Sequence, residues 1–268
     1  MTIDRTGPDM HNFIHTWLIK QDPSPAYTAF DHIPLAEIDG ARGVVFVPLA
    51  ETIFIHHNDP EKFRKNVIAL GYPEAAKEVD RRPRDPKIRR GNFGEILASE
   101  HLRQAEGYQI PVYRLRKSCE DSPMPGEDIL AFKFGAAGGS GRELLVGEAK
   151  VRGRYRSKAV EEAYQQLCKF GRRPRPKSLL FIVNILREQS RNGEADQVLM
   201  FLHKFAPHQP TRRHMIFLVT GNRPRDPFRC IQEQEEIIEN LIAANVCIPG
   251  LEDFVDSLFD YEVDINGA

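Results

Sequence analysis

Three ionisable residues stand where apolar strand patterns should simply continue: Asp128 at the head of DILAFKF, and Glu148 and Lys150 inside ELLVGEAKV. Side chains alternate along a strand, so Asp128 shares a face with Leu130, Phe132 and Phe134, and Glu148 and Lys150 share one with Leu144 and Val146. Each face passes from apolar to charged, and pairing the two strands gathers two carboxyls and an ammonium at one sheet edge. Burying unpaired carboxylates is costly, so such a group needs a structural partner or a use. A divalent metal supplies a use. Mg²⁺ or Mn²⁺ takes hard oxygen ligands, and Mg²⁺ typically binds one or two carboxylates together with substrate phosphate and water, which suits Asp128 and Glu148. Lys150 can orient or deprotonate an attacking water, or stabilise charge developing on a phosphate. Glu95 is a further acid, on a helical stretch whose Gly91, Gly94 and Ala98 permit close packing. A Glu-x-Lys pair taken alone is more often a cross-strand salt bridge on a half-exposed sheet.

The elements that must position these residues follow from periodicity and punctuation. RRGNFGEILASEHLRQAE, residues 89 to 106, has helical spacing and stops before Gly107. Residues 109 to 117 and 127 to 134 read as strands, and 143 to 151 as a third. The Gly-rich stretch 135 to 141 joins strand to strand and lacks a following Lys-Ser/Thr, so it is a hairpin loop and not a phosphate cradle. Residues 157 to 170 form an amphipathic helix with Ser157 as N-cap. SLLFIVNIL, residues 178 to 186, is apolar enough for a strand covered on both faces. The expected core is therefore helix, three strands, helix, strand, in an α/β protein. Before it, residues 44 to 49 and 52 to 55 read as short strands. A helix then runs from Asp59-Pro60 to Gly71, and the basic Arg81–Pro86 stretch reads as a linker or surface arm. After the core, 194 to 205 and 231 to 245 read as helices around a strand at 214 to 220. The divisions expected are 1–88, 89–190 and 191–268, within one compact domain.

Charge is unevenly placed. The 268 residues sum to −1, yet Cys230 to Ala268 holds ten acids and no Lys or Arg. Six basic residues fall in RRPRDPKIRR, residues 81 to 90, and nine lie between 151 and 177. Clusters of this kind attract polyanions. Arg89, Arg90, Arg152, Arg154, Arg156 and Lys158 flank the carboxyl cluster and are the expected nucleic-acid contacts. With 41% hydrophobic and 28% charged residues the chain is composed like a folded globular protein. No stretch is long and apolar enough to span a bilayer, and MTIDRTGPDM is no signal peptide, so no membrane association and a cytoplasmic location are expected. Cys119, Cys168, Cys230 and Cys247 form no metal or redox spacing. His56 and His57 are poor co-ligands on a strand, and Trp17 reads as core. Tyr155, among arginines, is a candidate for stacking on a base.

An Asp followed after 20 residues by Glu-x-Lys, GEDIL then GEAK, with a helical Glu before and a Gln-bearing helix after, resembles the PD-(D/E)XK nuclease superfamily. Pro125 with Asp128 imitates the first half of that motif, and the likeness covers residues 89 to 186. The resemblance implies a restriction-endonuclease-like core, elaborated at both ends, and metal-dependent phosphodiester hydrolysis. It places Asp128, Glu148 and Lys150 on the motif and Glu95 on the first-helix acid. Gln166, with Phe170 in place of the usual Tyr, matches Q-x-x-x-Y, with Gln165 held in reserve. GNFGEILASEHL, YRLRKS, GEDILAFKF and VGEAKVRGRY are together similar to HamA, the nuclease subunit family of Hachiman anti-phage systems. That likeness implies a DNase working with a superfamily 2 helicase (HamB-like) that restrains or activates it. An idle nuclease fold serving as a binding module, and an RNA-cleaving enzyme, are the alternatives.

Overall fold

The computed structural model describes residues 12–72, 74–117, 126–135, 141–202 and 209–263. In chain order its elements are α1 (Phe13–Trp17), β1 (Leu18–Lys20), β2 (Asp31–Glu37), α2 (Ala41–His57), α3 (Pro60–Leu70), α4 (Ala75–Val79) and α5 (Pro86–Gln104). A 3-10 turn over Arg114–Lys117, β3 (Ile129–Lys133), β4 (Glu143–Arg152) and α6 (Ser157–Cys168) follow. A second 3-10 turn over Lys169–Gly171 leads to α7 (Pro176–Glu188), α8 (Asn192–Leu199), β5 (Thr211–Thr220), α9 (Arg229–Gln232), β6 (Leu241–Cys247) and α10 (Leu251–Asp260).

One six-stranded sheet, ordered β1-β2-β6-β5-β4-β3, draws strands from the beginning, middle and end of the chain. Its four inner strands are parallel, and β1 and β3 pair antiparallel at the two edges. Alternation with period two sorts the core into two layers. Ile129, Leu145, Met215, Phe217 and Ala244 meet α1, α2, α5 and α10 on one face. Leu130, Val146, Ile216, Leu218 and Ala243 meet α6, α7, α8 and α9 on the other. The α/β class expected from sequence is thus realised as a sheet between two helical layers. No helix among the described residues is long and apolar enough to cross a membrane.

The elements that carry the motif form as expected. The expected 127 to 134 strand is β3, and the 143 to 151 strand is β4. Residues 136 to 140 of the Gly-rich loop lie outside the described residues, but the strands on either side pair antiparallel, as a hairpin requires. Asp59 caps α3 by accepting from Lys62 N at 3.2 Å, Pro60 fills its first turn, and Gly71 ends it at φ +70°. In α6 the N-cap position belongs to Arg156, one residue before the expected Ser157.

Five expectations are corrected. Residues 44 to 55 are not strands but belong to α2, because Ala41, Val45, Leu49 and Ile53 repeat every fourth position and are all buried, while Val44 is 68% exposed. Pro48 sits inside this helix, and Thr52 Oγ1 donates to its carbonyl at 2.8 Å. Residues 178 to 186 are α7, with Pro176 at its start; Leu179, Ile182, Val183 and Leu186 are buried while Leu180 is 43% exposed. That apolar run is a helical face and not a two-sided strand, so the strand closing the core is β5. Residues 109 to 117 make only a bridge, Gln109 to Phe132, before turning into the 3-10 segment, which leaves two core strands before α6 in place of three. The helix expected over 231 to 245 is a single short turn, α9, followed by β6, whose Leu241 to Val246 stretch is buried on both faces between β2 and β5. The basic Arg81–Pro86 stretch connects α4 to α5 and is mostly exposed, with Arg82 holding it to the body: Arg82 pairs with Asp80 at 2.6 Å, stacks over Phe54, and is only 10% exposed in its side chain. Asp85 caps α5 through the Lys87 and Ile88 amides, so that helix starts before Arg89.

Candidate active site

The β3–β4 register pairs Ile129 with Gly147, and one further step sets Asp128 opposite Glu148. Gly147 makes this close pairing possible, because a Cβ there would lie 3.1 Å from Ile129 Cδ1. The backbone amide of Ala149 donates to Asp128 Oδ2 at 3.0 Å and fixes that carboxyl at the end of the ladder. Lys150 Nζ donates to Glu148 Oε2 at 3.2 Å. Burial, and next the neighbouring Asp128 carboxyl, push Glu148 up to about 7, with Lys150 pulling the other way.

Glu95 approaches from α5, on the opposite layer. It can do so because β3 is an edge strand beginning at Ile129, which leaves Asp128 one step beyond the strand's end. The helix also lies tight on β4, since a Cβ on Gly94 would fall 2.5 Å from Val151 Cγ2. Burial first and Asp128 next hold the Glu95 carboxyl well above the usual range, against the opposing guanidinium of Arg114. Arg114 Nη1 in turn donates to the backbone carbonyls of Glu127 and, at 3.1 Å, Asp128.

Asp128, Glu148 and Lys150 open onto a cleft of about 400 Å³, whereas Glu95 and Arg114 line a narrow crevice that meets it at Asp128. Gln166 lines the cleft as well, with Lys169, Arg172, Arg173 and Arg175 along its rim. Gln166 therefore reaches the cleft from α6, whereas Gln165 is exposed and does not line it. The rim cations belong to the second half of the basic run in residues 151 to 177; the sequence reading picked out its first half. Arg154, Arg156 and Lys158 are exposed, and Arg152 lies 3.7 Å from Glu162. Arg89 and Arg90 sit elsewhere, in ion pairs with Asp256, Asp260 and Glu252 of α10. Glu127 was also missed. Its carboxylate accepts from Arg175 N at 2.7 Å, and although burial raises it, the Ser178 hydroxyl and that amide hold it below the usual range. It ties the residue before Asp128 to the start of α7.

The remaining candidates have structural employment. His56 bonds Glu100 at 2.9 Å, and buried His57, pushed down to about 4 by desolvation, bonds Asn92 and the Ile53 carbonyl. Both lie on a helix, so their exclusion as co-ligands follows from these partners and not from strand alternation. Tyr155 is half-buried, and its hydroxyl donates to Pro227 O at 3.0 Å. Trp17 is fully buried in the core, and Cys168, Cys230 and Cys247 are unpaired thiols. Pro125 and Cys119 lie outside the described residues, and nothing is described of the Phe170 side chain.

Among the described residues no three His, Cys, Asp or Glu side chains form a complete cation cage. Three carboxyl residues line the cleft; Glu127 is tied to Arg175, which leaves Asp128 and Glu148, crowded enough to raise Glu148, as donors that suit a hard cation keeping water and taking substrate oxygen as its other ligands. A family model described as HamA matches residues 43–261. "Hachiman protein HamA" of Bacillus cereus is 30% identical over 199 residues, which is 71% of this chain and 66%, just under two thirds, of that protein. The matched region holds α5, both motif strands and the helices of the cleft, and the chain belongs to the HamA family.

Proposed function

We propose that this chain is a metal-dependent nuclease that hydrolyses DNA phosphodiester bonds as the effector of a Hachiman anti-phage system. A superfamily 2 helicase of the HamB kind restrains or activates it. The observation that carries the reading is the meeting of Asp128, Glu148 and Lys150 in one cleft rimmed by four cations. Asp128 and Glu148 are the residues to hold Mg²⁺ or Mn²⁺, which when bound supplies an activated water and offsets charge on the scissile phosphate. Glu95 adds a third acid within electrostatic reach of both carboxyls. Lys150, oriented by Glu148, faces the phosphate and stabilises the negative charge that builds on it. Gln166 is placed to hydrogen-bond the attacking water or a phosphate oxygen. Lys169, Arg172, Arg173 and Arg175 take the flanking phosphates, and the exposed Arg154, Arg156 and Lys158 extend that field.

The test incubates the purified chain with plasmid, linear DNA and RNA, with and without Mg²⁺, alone and with its neighbouring gene products. DNA cleavage that needs the metal is expected, with Glu148→Ala abolishing it and Lys150→Ala lowering it by about 10²–10⁴-fold. Near wild-type cutting by either variant removes the assignment, and RNA-only cutting moves it to the other nucleic acid. Binding without cutting under every condition makes the chain an idle nuclease fold.

A further inference from the structure

A second cavity, of about 320 Å³, lies between α3, the Pro111–Arg116 segment and the C-terminal part of α7. Its walls are of two kinds. Phe63, Val79, Val112 and Ile185 give an apolar floor, while Lys62, Arg81, Arg116 and Arg191 surround it with cations. Among the described residues Asp59 is the one acid on this lining, and its carboxylate lies 3.6 Å from Arg116. Two of the cations are set in place by the fold. Arg116 Nε donates to Ile55 O at 2.8 Å with its guanidinium stacked 4.7 Å over Tyr113, and Arg81 Nη1 donates to Arg116 O at 2.7 Å. Arg191 is committed to Glu194 and the Pro111 carbonyl and contributes only its field.

A cationic lining repels metal ions and attracts phosphate, and an apolar floor has no use for phosphate alone. The combination suits a molecule with a flat apolar body and an anionic group, at a volume within the usual range for small-molecule sites. We propose that this cavity binds a single nucleotide, with its base on the Phe63–Val112–Ile185 floor and its phosphate at Lys62, Arg81 and Arg116. The proposal goes beyond the nuclease reading and does not depend on it.

Two sources fit that chemistry, a free nucleotide and one nucleotide of a longer strand. The second has a geometric rationale. Pro111, Val112 and Tyr113 also line a narrow crevice that reaches Glu95 and Asp128, and Arg175 at the N-cap of α7 lines the active cleft while Ile185 and Gln189 at its other end line this cavity. Those 13 helical residues span about 20 Å, or about six steps of a B-form strand.

The experiment uses the full chain in EDTA, so that binding is read without cleavage. ATP, dAMP and inorganic phosphate are titrated by calorimetry, and a short labelled single strand by fluorescence anisotropy. Two variants are compared with wild type: Lys62→Ala with Arg81→Ala, which removes charge, and Asn66→Trp, at an exposed lining position on α3, which obstructs the cavity and keeps the charge. Circular dichroism checks that both fold. A loss of about tenfold or more in both variants is expected. Loss of mononucleotide binding identifies a free nucleotide, and loss confined to the strand identifies a strand nucleotide. Unchanged affinity for both ligands in both variants overturns the site, and so does inorganic phosphate competing as well as the nucleotide. Cleavage in Mg²⁺ is measured separately, so failure of either reading leaves the other standing.

Discussion

Glu148 keeps its proton to about pH 7 because burial and Asp128 both oppose its ionisation. A carboxyl raised in this way binds more protons folded than unfolded between its ordinary value near 4.5 and about 7. Its contribution to stability is therefore complete below 4.5 and is lost as the pH rises through about 7. Glu148→Gln removes the titration, so the variant should gain on wild type between pH 5 and pH 8, by on the order of 1–3 kcal/mol. Urea unfolding of both proteins in EDTA measures this; a gap that does not open with pH refutes the burial account. Mg²⁺ gives the complementary test. It should raise the wild-type melting temperature, and Asp128→Asn or Glu148→Gln should cancel that rise, because only a ligand bound to the folded state stabilises it. The motif residues were legible because each breaks an apolar strand pattern. Arg114 and Glu127 were not. One reaches the site from a 3-10 turn and the other by binding the start of α7, and both contacts are long-range.

At the scale of elements, the contact of α5 with β4 decides whether Glu95 meets Asp128. Gly94→Ala places a methyl 2.5 Å from Val151 Cγ2, inside any real contact distance, so the helix must lift or the valine must turn. The expected cost is about 1–3 kcal/mol, as for other overpacked cores. The pH profile and rate of any cleavage should shift with it, since Glu95 moves with its helix. Adding Val151→Ala to Gly94→Ala makes room for the methyl and should recover most of the stability; no recovery places the strain elsewhere. Helices with clear punctuation, such as α3 between Asp59-Pro60 and Gly71, could be read directly. Those with continuous apolar runs could not. In α7 the polar Asn184 and the Pro176 start were the available signals, and the near-continuous apolar run hid them. In β6 the apolar run continuing from Ile237 and Ile238 was read as the face of one helix, but between two parallel strands such a run is buried on both faces.

Across the whole molecule, the acidic C-terminal region and part of the basic charge are brought together. Arg89 lies 2.8 Å from Asp260 and 3.6 Å from Asp256, and Arg90 lies 3.6 Å from Glu252. Glu252 also touches the turn after the motif strand, where a Cβ on Gly153 would meet Glu252 Oε1 at 2.9 Å. These acids are substantially exposed, so each pair contributes only about 0–1 kcal/mol. The helix itself is seated by Val255, Leu258 and Phe259. Converting Glu252, Asp256 and Asp260 to their amides should thus leave the fold intact while releasing Arg89 and Arg90. DNA affinity in EDTA should rise, and the salt dependence should steepen by about 0.9 for each phosphate newly neutralised. An unchanged slope would show that neither arginine meets the phosphates and that these pairs serve only to seat α10.

The sequence by itself determined the local parts of this protein: an α/β composition, the helix bearing Glu95, the two strands bearing Asp128, Glu148 and Lys150, and the helix bearing Gln166. Each is written in neighbouring residues, through a period of two or near four and through caps and breakers. The tertiary structure alone decided which face of each element is buried, and so that residues 178 to 186 are helix and 241 to 247 strand. It also decided that the chain's first and last strands join the motif strands in one sheet, and that the cations of the cleft come from residues 169 to 175. The physical reason is that burial depends on what packs against an element. Those neighbours, like the partners that shift Glu95 and Glu148, lie tens of residues away in the chain.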